Sequence, residues 1–495
     1  MDRSGRTDFL LTAICFLAAL TIRMAFFVGG VRGSDAFAYA LYAHQMATGT
    51  YDPVYIFNFY GFRYAVLLPT ALSYKVFGVG DVPSVIFPYL FSSLQAALTF
   101  LLAHELIGRR GAIIAAILII FYPLDVCMAN ILGPDAFIPF FATGALFCYT
   151  MGEKKGLTIL ILISGTLVGL AYLSRVTSIF LLFAFAFYLL TQRQKIRNLG
   201  WMLAGFFVPL VGEALYYYYQ TGDPFLHFHR LSVHDDLVRG ANPDAIVSLS
   251  FYPRVMGGFD LTGLALYGLI WWIVMAGLIV AWRKKASHLS LMAVSIIIPW
   301  LGFELGWQNL KEMTPIMKNY NYLSLFTGPA IIIAAYALSS LYTWEVGQRD
   351  ITKKLVVGII WAIVMMNLYG AYRVTENVRD DAAPYEKVAA FLSRSERRPV
   401  FIHHERWGLF LRYFLKYDPS WDLRLVEDLP EKHPPAYLIL HLRYLNADTA
   451  GRPMKPLPLQ RFWSNPPPSW KRELAYTGRP LYNSVLVYAL PPGSL

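Results

Sequence analysis

Charge is scarce in this chain of 495 residues: 15% is Asp, Glu, Lys or Arg and 56% is hydrophobic, against roughly 25% charged in an ordinary soluble protein. That balance excludes an ordinary soluble protein and indicates a polytopic membrane protein. Cysteine is scarcer still. Cys15, Cys127 and Cys148 lie in or beside apolar segments with neither a pairing nor a metal spacing, so they read as inert core thiols and give no disulfide framework. Internal repeats and low-complexity tracts are absent. So is a cleavage signal. The basic MDRSGR precedes an apolar run from Phe9 to Val28, but the run is too long for a signal peptide and VGGVRGSD after it offers no good cleavage site, so it is kept as a membrane span.

Apolar runs near the ~20 residues needed to cross the hydrocarbon core recur from Phe9 to about Tyr369 and then stop. Candidate spans are 8–29, 83–104, 111–124, 134–151, 157–173, 176–190, 200–219, 262–281, 288–305, 322–341 and 354–370, about eleven helices. The net charge of +11 reflects topology rather than nucleic-acid binding. Arg109/Arg110, Lys154/Lys155, Arg193/Lys195/Arg197, Arg283/Lys284/Lys285 and Lys353/Lys354 fall in alternate connections, as the positive-inside rule requires for a cytoplasmic N-terminus. The first outer loop, 30–82, the long loop 220–261, the loop 306–321 and everything after 371 are then extracytoplasmic. Function concentrates in long loops on a rigid scaffold, so the site is expected on that face.

In the first loop, SDAFAYALYAHQMATG sets Asp35, Tyr39, Tyr42 and Met46 on one helical stripe, with Ser34 able to cap it. RYAVLLPTALSYKVFG, 63–78, is short for a span and contains Pro69, so it reads as an interfacial helix. The chain divides into a membrane domain, 1–370, and a soluble domain, 371–495. In the latter, strand-like PVFIHH, AYLILHL and SVLVYAL alternate with helical PYEKVAAFLSRS and WGLFLRYFL, an α/β pattern.

Asp35, Arg63, YGFRYAVLLPTALSYKVFG, the pair GRRG, FYPLDVCMANILGPDAFIPFF and GLAYLSRVTS together resemble the GT-C superfamily of membrane glycosyltransferases. Within it, the chain resembles bacterial relatives of the protein O-mannosyltransferases and lipid A aminoarabinose transferases. The resemblance spans about residues 8–340. It implies an inverting hexosyl- or pentosyltransferase that moves a sugar from a polyprenyl-phosphate donor to a lipid, glycan or protein acceptor. It also implies an outer-face site in the bacterial inner (plasma) membrane. The sequence departs from many relatives in carrying Phe62, Arg63 and Tyr64 where a Pro-Pro pair is common, and KNYNYL at 318–323 where an Arg-Tyr pair is common. The rival readings are a flippase or transporter of lipid-linked sugars, and an oligosaccharide ligase or polymerase.

Inverting transfer needs one carboxylate base near the acceptor hydroxyl and cations near the leaving phosphate. Asp35 fits the base; as a helix cap alone it would stabilise by about 1 kcal/mol. Asp135, after Gly133 and Pro134, is the second catalytic carboxylate by resemblance, and otherwise also a cap; Asp125 is a weaker third. Arg63, Arg175, Lys318 and Arg230 are the donor-phosphate candidates, with Tyr39 beside them. Arginine ranks first because its planar fork grips phosphate bidentately; each could instead be a snorkelling surface residue. Arg32, Lys75, Arg239, Arg254 and Lys311 complete the outer-face cations. HFHRLSVHDD, 227–236, sets His227 and His229 on one strand face near His234, Asp235 and Asp236 without a zinc spacing. It reads as a loop closing over sugar or phosphate, with a divalent metal as the alternative; no cofactor is expected. HHER, 403–406, reads as structural or acceptor-facing.

Overall fold

The structure is a computed structural model and describes residues 3–56, 59–192, 195–230, 250–309, 314–316, 318–342, 349–426, 433–442, 460–479 and 481–492. Helices dominate the first three quarters: α1 (Arg3–Ala25), α2 (Ser34–Thr48), α3 (Tyr64–Phe77), α4 (Asp81–Ile120), α5 (Pro123–Ala129), α6 (Phe137–Lys155), α7 (Thr158–Ser174), α8 (Ile179–Thr191) and α9 (Ile196–Thr221). Beyond the long loop follow α10 (Phe251–Met256), α11 (Leu261–Tyr267), α12 (Ile270–Arg283), α13 (Ser290–Leu305), α14 (Thr327–Tyr342) and α15 (Arg349–Leu392).

Among the described residues, six helices are long and apolar enough to cross a membrane, and the pair α11 and α12, bent by 65°, makes a seventh. The expected span 111–124 begins within α4, which breaks at Gly108 (φ 74, ψ 174), a left-handed position that favours glycine. The expected spans 157–173 and 176–190 fall on the shorter apolar helices Thr158–Ser174 and Val176–Thr191. At 1.5 Å per residue, a helix of this length covers about 25 Å, less than the hydrocarbon thickness. α7 and α9 pack closely through small residues, since a Cβ on Gly165 would lie 2.0 Å from the Met202 carbonyl oxygen and one on Gly205 2.0 Å from that of Leu162. Small-residue contacts of this kind are how membrane helices gain van der Waals packing.

Two short strands after α13, β1 (Trp307–Asn309) and β2 (Thr314–Pro315), pair antiparallel, and the tail is a mixed sheet of β3 (Val400–Ile402), β4 (Leu423–Leu425), β5 (Ala436–His441), β6 (Lys471–Tyr476) and β7 (Val485–Leu490) in the order β4-β3-β5-β7-β6. β3 runs parallel to both β4 and β5, whereas β7 is antiparallel to β5 and to β6. The strands expected around 399–404, 436–442 and 484–490 are β3, β5 and β7. β4 and β6 were not expected; their partly exposed faces give little apolar alternation. α16 (Glu405–Phe414) follows β3 and α17 (Gln460–Ser464) precedes β6. α15 runs unbroken across residue 371, so one helix carries the chain from the membrane into the tail.

The core is partitioned in an informative way. One buried cluster joins the membrane helices. A second joins the segment 30–82, through Val31, Phe37, Tyr39, Tyr42 and Tyr64, to Trp407, Phe410, Tyr413 and Val485 of the tail. α2 therefore packs against the C-terminal part of the chain as well as against α3, which in turn packs on α4 and α7.

Candidate active site

Asp35 is the second residue of α2, which begins at Ser34 with Gly33 (φ 78) at the cap; the expected capping by the Ser34 side chain lies outside what the structure describes. A carboxylate in this first turn sits where the helix dipole favours an anion. Its side chain is exposed and hydrogen-bonded with the Tyr60 phenol. One turn on, Tyr39 is 1% exposed, and its hydroxyl accepts a hydrogen bond from Arg63 Nη1. The Arg63 guanidinium lies 4.7, 5.3 and 5.6 Å from the ring centroids of Phe59, Tyr60 and Tyr39, an aromatic cage that holds a cation by its ring faces. Burial pushes the phenols of both Tyr39 and Tyr60 up, and for Tyr60 the Asp35 carboxylate adds to the shift. Both stay protonated, and Tyr60 can donate to the Asp35 carboxylate.

Asp135 enters the same site from another direction. The connection that carries it is tied down by Asn130, whose Nδ2 donates to the carbonyls of Arg23 (3.1 Å) and Val126 (2.8 Å) and whose Oδ1 accepts from Tyr89 (2.7 Å). The Leu132 N–H donates to the Gly30 carbonyl at 2.8 Å, joining the approach to Asp135 with the approach to Asp35. Asp135 Oδ1 lies 2.8 Å from Arg175 Nη1, with both side chains under 10% exposed, and Oδ2 accepts from Asn321 Nδ2 at 2.6 Å. Arg175 occupies the extended break between α7 and the 3₁₀ turn Val176–Ser178 (φ −161, ψ 126) and lies 4.8 Å from the Tyr322 ring centroid.

Five expected residues thus come together. Tyr39, one turn from Asp35, takes the Arg63 hydrogen bond, and its buried hydroxyl also feels the charges of Arg175 and Asp135, which pair with each other at 2.8 Å. The other two stand apart from this group. Lys318 forms a buried ion pair with Glu304 at 2.7 Å, with side-chain exposures of 3% and 5%, and Glu304 Oε2 also accepts the Tyr252 N–H at 3.2 Å. Arg230 is exposed and donates to the Val54 carbonyl at 2.9 Å, pinning the long loop to the first loop. Sequence reasoning missed Tyr60 and Asn321 as members of the site; both lie in stretches it quoted, but only the folded loop aims them.

His227 and His229 lie on a helical turn rather than a strand, so they diverge. His227 is buried 3.2 Å from Glu213 and stacks on Phe62 at 5.1 Å; His229 is exposed 2.8 Å from Asp223. His234, Asp235, Asp236, Arg239 and Lys311 lie outside the described residues. Among the described residues, no three His, Cys, Asp or Glu side chains come together to hold a metal. In HHER, His403 Nδ1 lies 3.1 Å from the Ile439 carbonyl, a structural contact within the sheet. Asp125 is 2% exposed in the first turn of α5. A cavity of about 540 Å³ lies between the loop helices and α7 and α9, lined by Met46, Tyr51, Tyr64, Leu68, Glu213 and Tyr216 among others. Tyr64 in its wall directly follows Arg63.

Residues 66–217 match the protein family described as dolichyl-phosphate-mannose-protein mannosyltransferase. Among solved structures, the chain is similar to ArnT from Cupriavidus metallidurans in the apo state (14% identity, TM-score 0.61, covering 99% of this chain and 98% of that one). It is also similar to ArnT bound to undecaprenyl phosphate (14%, TM-score 0.57, 98% of each chain). A third likeness is to the Archaeoglobus fulgidus oligosaccharyltransferase tethered with an acceptor peptide (12%, TM-score 0.53, 89% of this chain and 69% of that one). No curated protein matches by sequence. These likenesses show a fold that the chain shares with ArnT over nearly its whole length.

Proposed function

We propose that the chain is an inverting glycosyltransferase that moves a hexose or pentose from a polyprenyl-phosphate carrier to a hydroxyl of a lipid, glycan or protein acceptor on the outer face of a bacterial inner membrane. The observation that carries this reading is that Tyr39 bonds Arg63, whose aromatic cage includes the Tyr60 that Asp35 bonds, while Asp135 holds Arg175 at 2.8 Å. Asp35 takes the proton from the acceptor hydroxyl as its oxygen attacks the anomeric carbon. The bond from that carbon to the phosphate oxygen breaks on the opposite face, and the electron pair leaves with the carrier phosphate. Arg63, held by its aromatic cage and, among the described residues, by a hydrogen bond to Tyr39, receives the phosphate charge with its remaining N–H donors. Arg175, oriented by Asp135 and Tyr322, adds a second guanidinium. Asp135 and Asn321 orient sugar or acceptor hydroxyls. The step needs no metal, because the positive charge comes from arginine.

The likeness to ArnT bound to undecaprenyl phosphate supports a polyprenyl carrier, and the cavity beside Tyr64 suits the first isoprenyl units. The test is transfer by the purified protein from a panel of undecaprenyl-phosphate sugars to candidate acceptors. Release of free undecaprenyl phosphate together with a glycosylated acceptor is expected, and release matched by no acceptor would sink the reading. The rival transporter reading finds its best feature in the bent pair α11 and α12, since broken helices mark many transporter sites. Glu213 and Glu304, the acids within span ends, are each already partnered by a histidine or a lysine, which favours the enzyme.

A further inference from the structure

Asp35 and Arg63 reside on a loop, whereas Asp135 and Arg175 are held by the membrane helices, so something must fix the first pair against the second. Arg32, three residues before Asp35, is built as that fixture. Gly29 (φ 103) turns the chain so tightly that a Cβ there would lie 1.7 Å from Arg32 Nη2. The guanidinium, 4% exposed, donates to the carbonyls of Val28 (3.0 Å) and Val31 (2.9 Å), lies 3.6 Å from Asp81 at the start of α4, and binds Glu386 of α15 at 2.6 Å. One side chain thereby joins the loop, a membrane helix and the soluble domain. The Tyr413 hydroxyl of α16 donates to the same Asp81 at 3.0 Å. Phe37, two residues past Asp35, stacks on Phe410 at 4.2 Å. At the other end of α2, His44 stacks on Tyr417 at 4.4 Å and 11°, and Lys416 and Tyr417 adopt φ of 56 and 55°, a conformation costly for non-glycine residues that persists only where packing imposes it.

We propose that Arg32 is a positioning residue and that the C-terminal domain, acting through Arg32, Glu386 and α16, sets the placement of Asp35 against Arg175 and Asp135. This rests on the reading of Asp35 as the base. The domain is on this account a working part of the catalytic site. A shift of about 1 Å in a reacting group can cost on the order of 100-fold in rate.

Full-length protein in detergent or nanodiscs carries the test, with undecaprenyl phosphate as the binding probe and the panel donor that the parent accepts as the substrate. Glu386 is 43% exposed in its side chain, so Glu386→Gln should fold. It should lower kcat by about tenfold with KM and undecaprenyl phosphate affinity within about twofold, and speed amide exchange over residues 34–42 but not over α3. Arg32→Met should lower kcat by roughly 100-fold, and Arg32→Lys should recover part of the loss. Should Arg32→Met not fold, Phe410→Leu probes the same junction from the domain side. Parent-like kcat and exchange in Glu386→Gln and Phe410→Leu would overturn the proposal, as would losses of carrier affinity that match the losses of kcat. The exchange and affinity readouts do not depend on the role of Asp35. An active Asp35→Asn would therefore sink the base assignment separately from the pin.

Discussion

Asp35→Asn preserves side-chain shape and hydrogen bonding with Tyr60 but removes the ability to take a proton. Transfer should fall by about 10²- to 10⁴-fold with undecaprenyl phosphate binding intact. Asp135→Asn should behave differently, because its carboxylate neutralises a guanidinium that is only 9% exposed. Breaking a buried pair leaves an uncompensated charge, with a cost on the order of 3 kcal/mol, so a lowered melting temperature should accompany any loss of turnover. A dead but thermally unaltered Asp135→Asn, paired with an active Asp35→Asn, would reassign the base. Arg63→Ala should weaken undecaprenyl phosphate binding by tenfold or more while leaving the melting temperature nearly unchanged, since Arg63 is held by ring faces and one phenol rather than by a buried carboxylate.

Among elements, the segment 304–321 illustrates how a cation near a site can be committed elsewhere. Lys318→Met should destabilise by on the order of 3 kcal/mol because it strands Glu304, and the double variant Lys318→Met/Glu304→Leu should recover much of that loss. Thermal melts of the two separate this from phosphate binding, which predicts no such recovery. The tail sheet adds a pH dependence. Burial pushes the His403 imidazole down to about 4, below its ordinary 6.5. Between those values the unfolded chain binds a proton that the folded one refuses, so this contribution is complete above pH 6.5 and is lost as pH falls toward 4. The loss is on the order of 1–3 kcal/mol, and His403→Gln should flatten the difference in melting temperature between pH 7.5 and 5.

For the molecule as a whole, the alternating basic turns predict a cytoplasmic N-terminus and an extracytoplasmic tail. Ser469 is exposed, Cys15 and Cys127 are buried and Cys148 is only partly exposed. Ser469→Cys should therefore take a membrane-impermeant maleimide in intact cells. Labelling that occurs only after lysis would invert the topology and move the site to the cytoplasm.

The sequence by itself determined the membrane class, the helical positions and the α/β tail, because apolar run length and period report burial directly. It also singled out Asp35, Tyr39, Arg63, Asp135 and Arg175, through an acid after the first run, a helical stripe and a family resemblance. Which cations share the site was a tertiary matter. Arg175 and Lys318 read alike as charges in outer connections, yet one faces Asp135 and Tyr39 while the other is spent on Glu304. Arg32 likewise read as one more surface cation. Its partners Asp81 and Glu386 are 49 and 354 residues away, and no local pattern encodes a contact at that separation. The same holds for the packing of α2 onto α16. A stripe shows that a face is buried, but the surface that covers it is decided only when the chain folds.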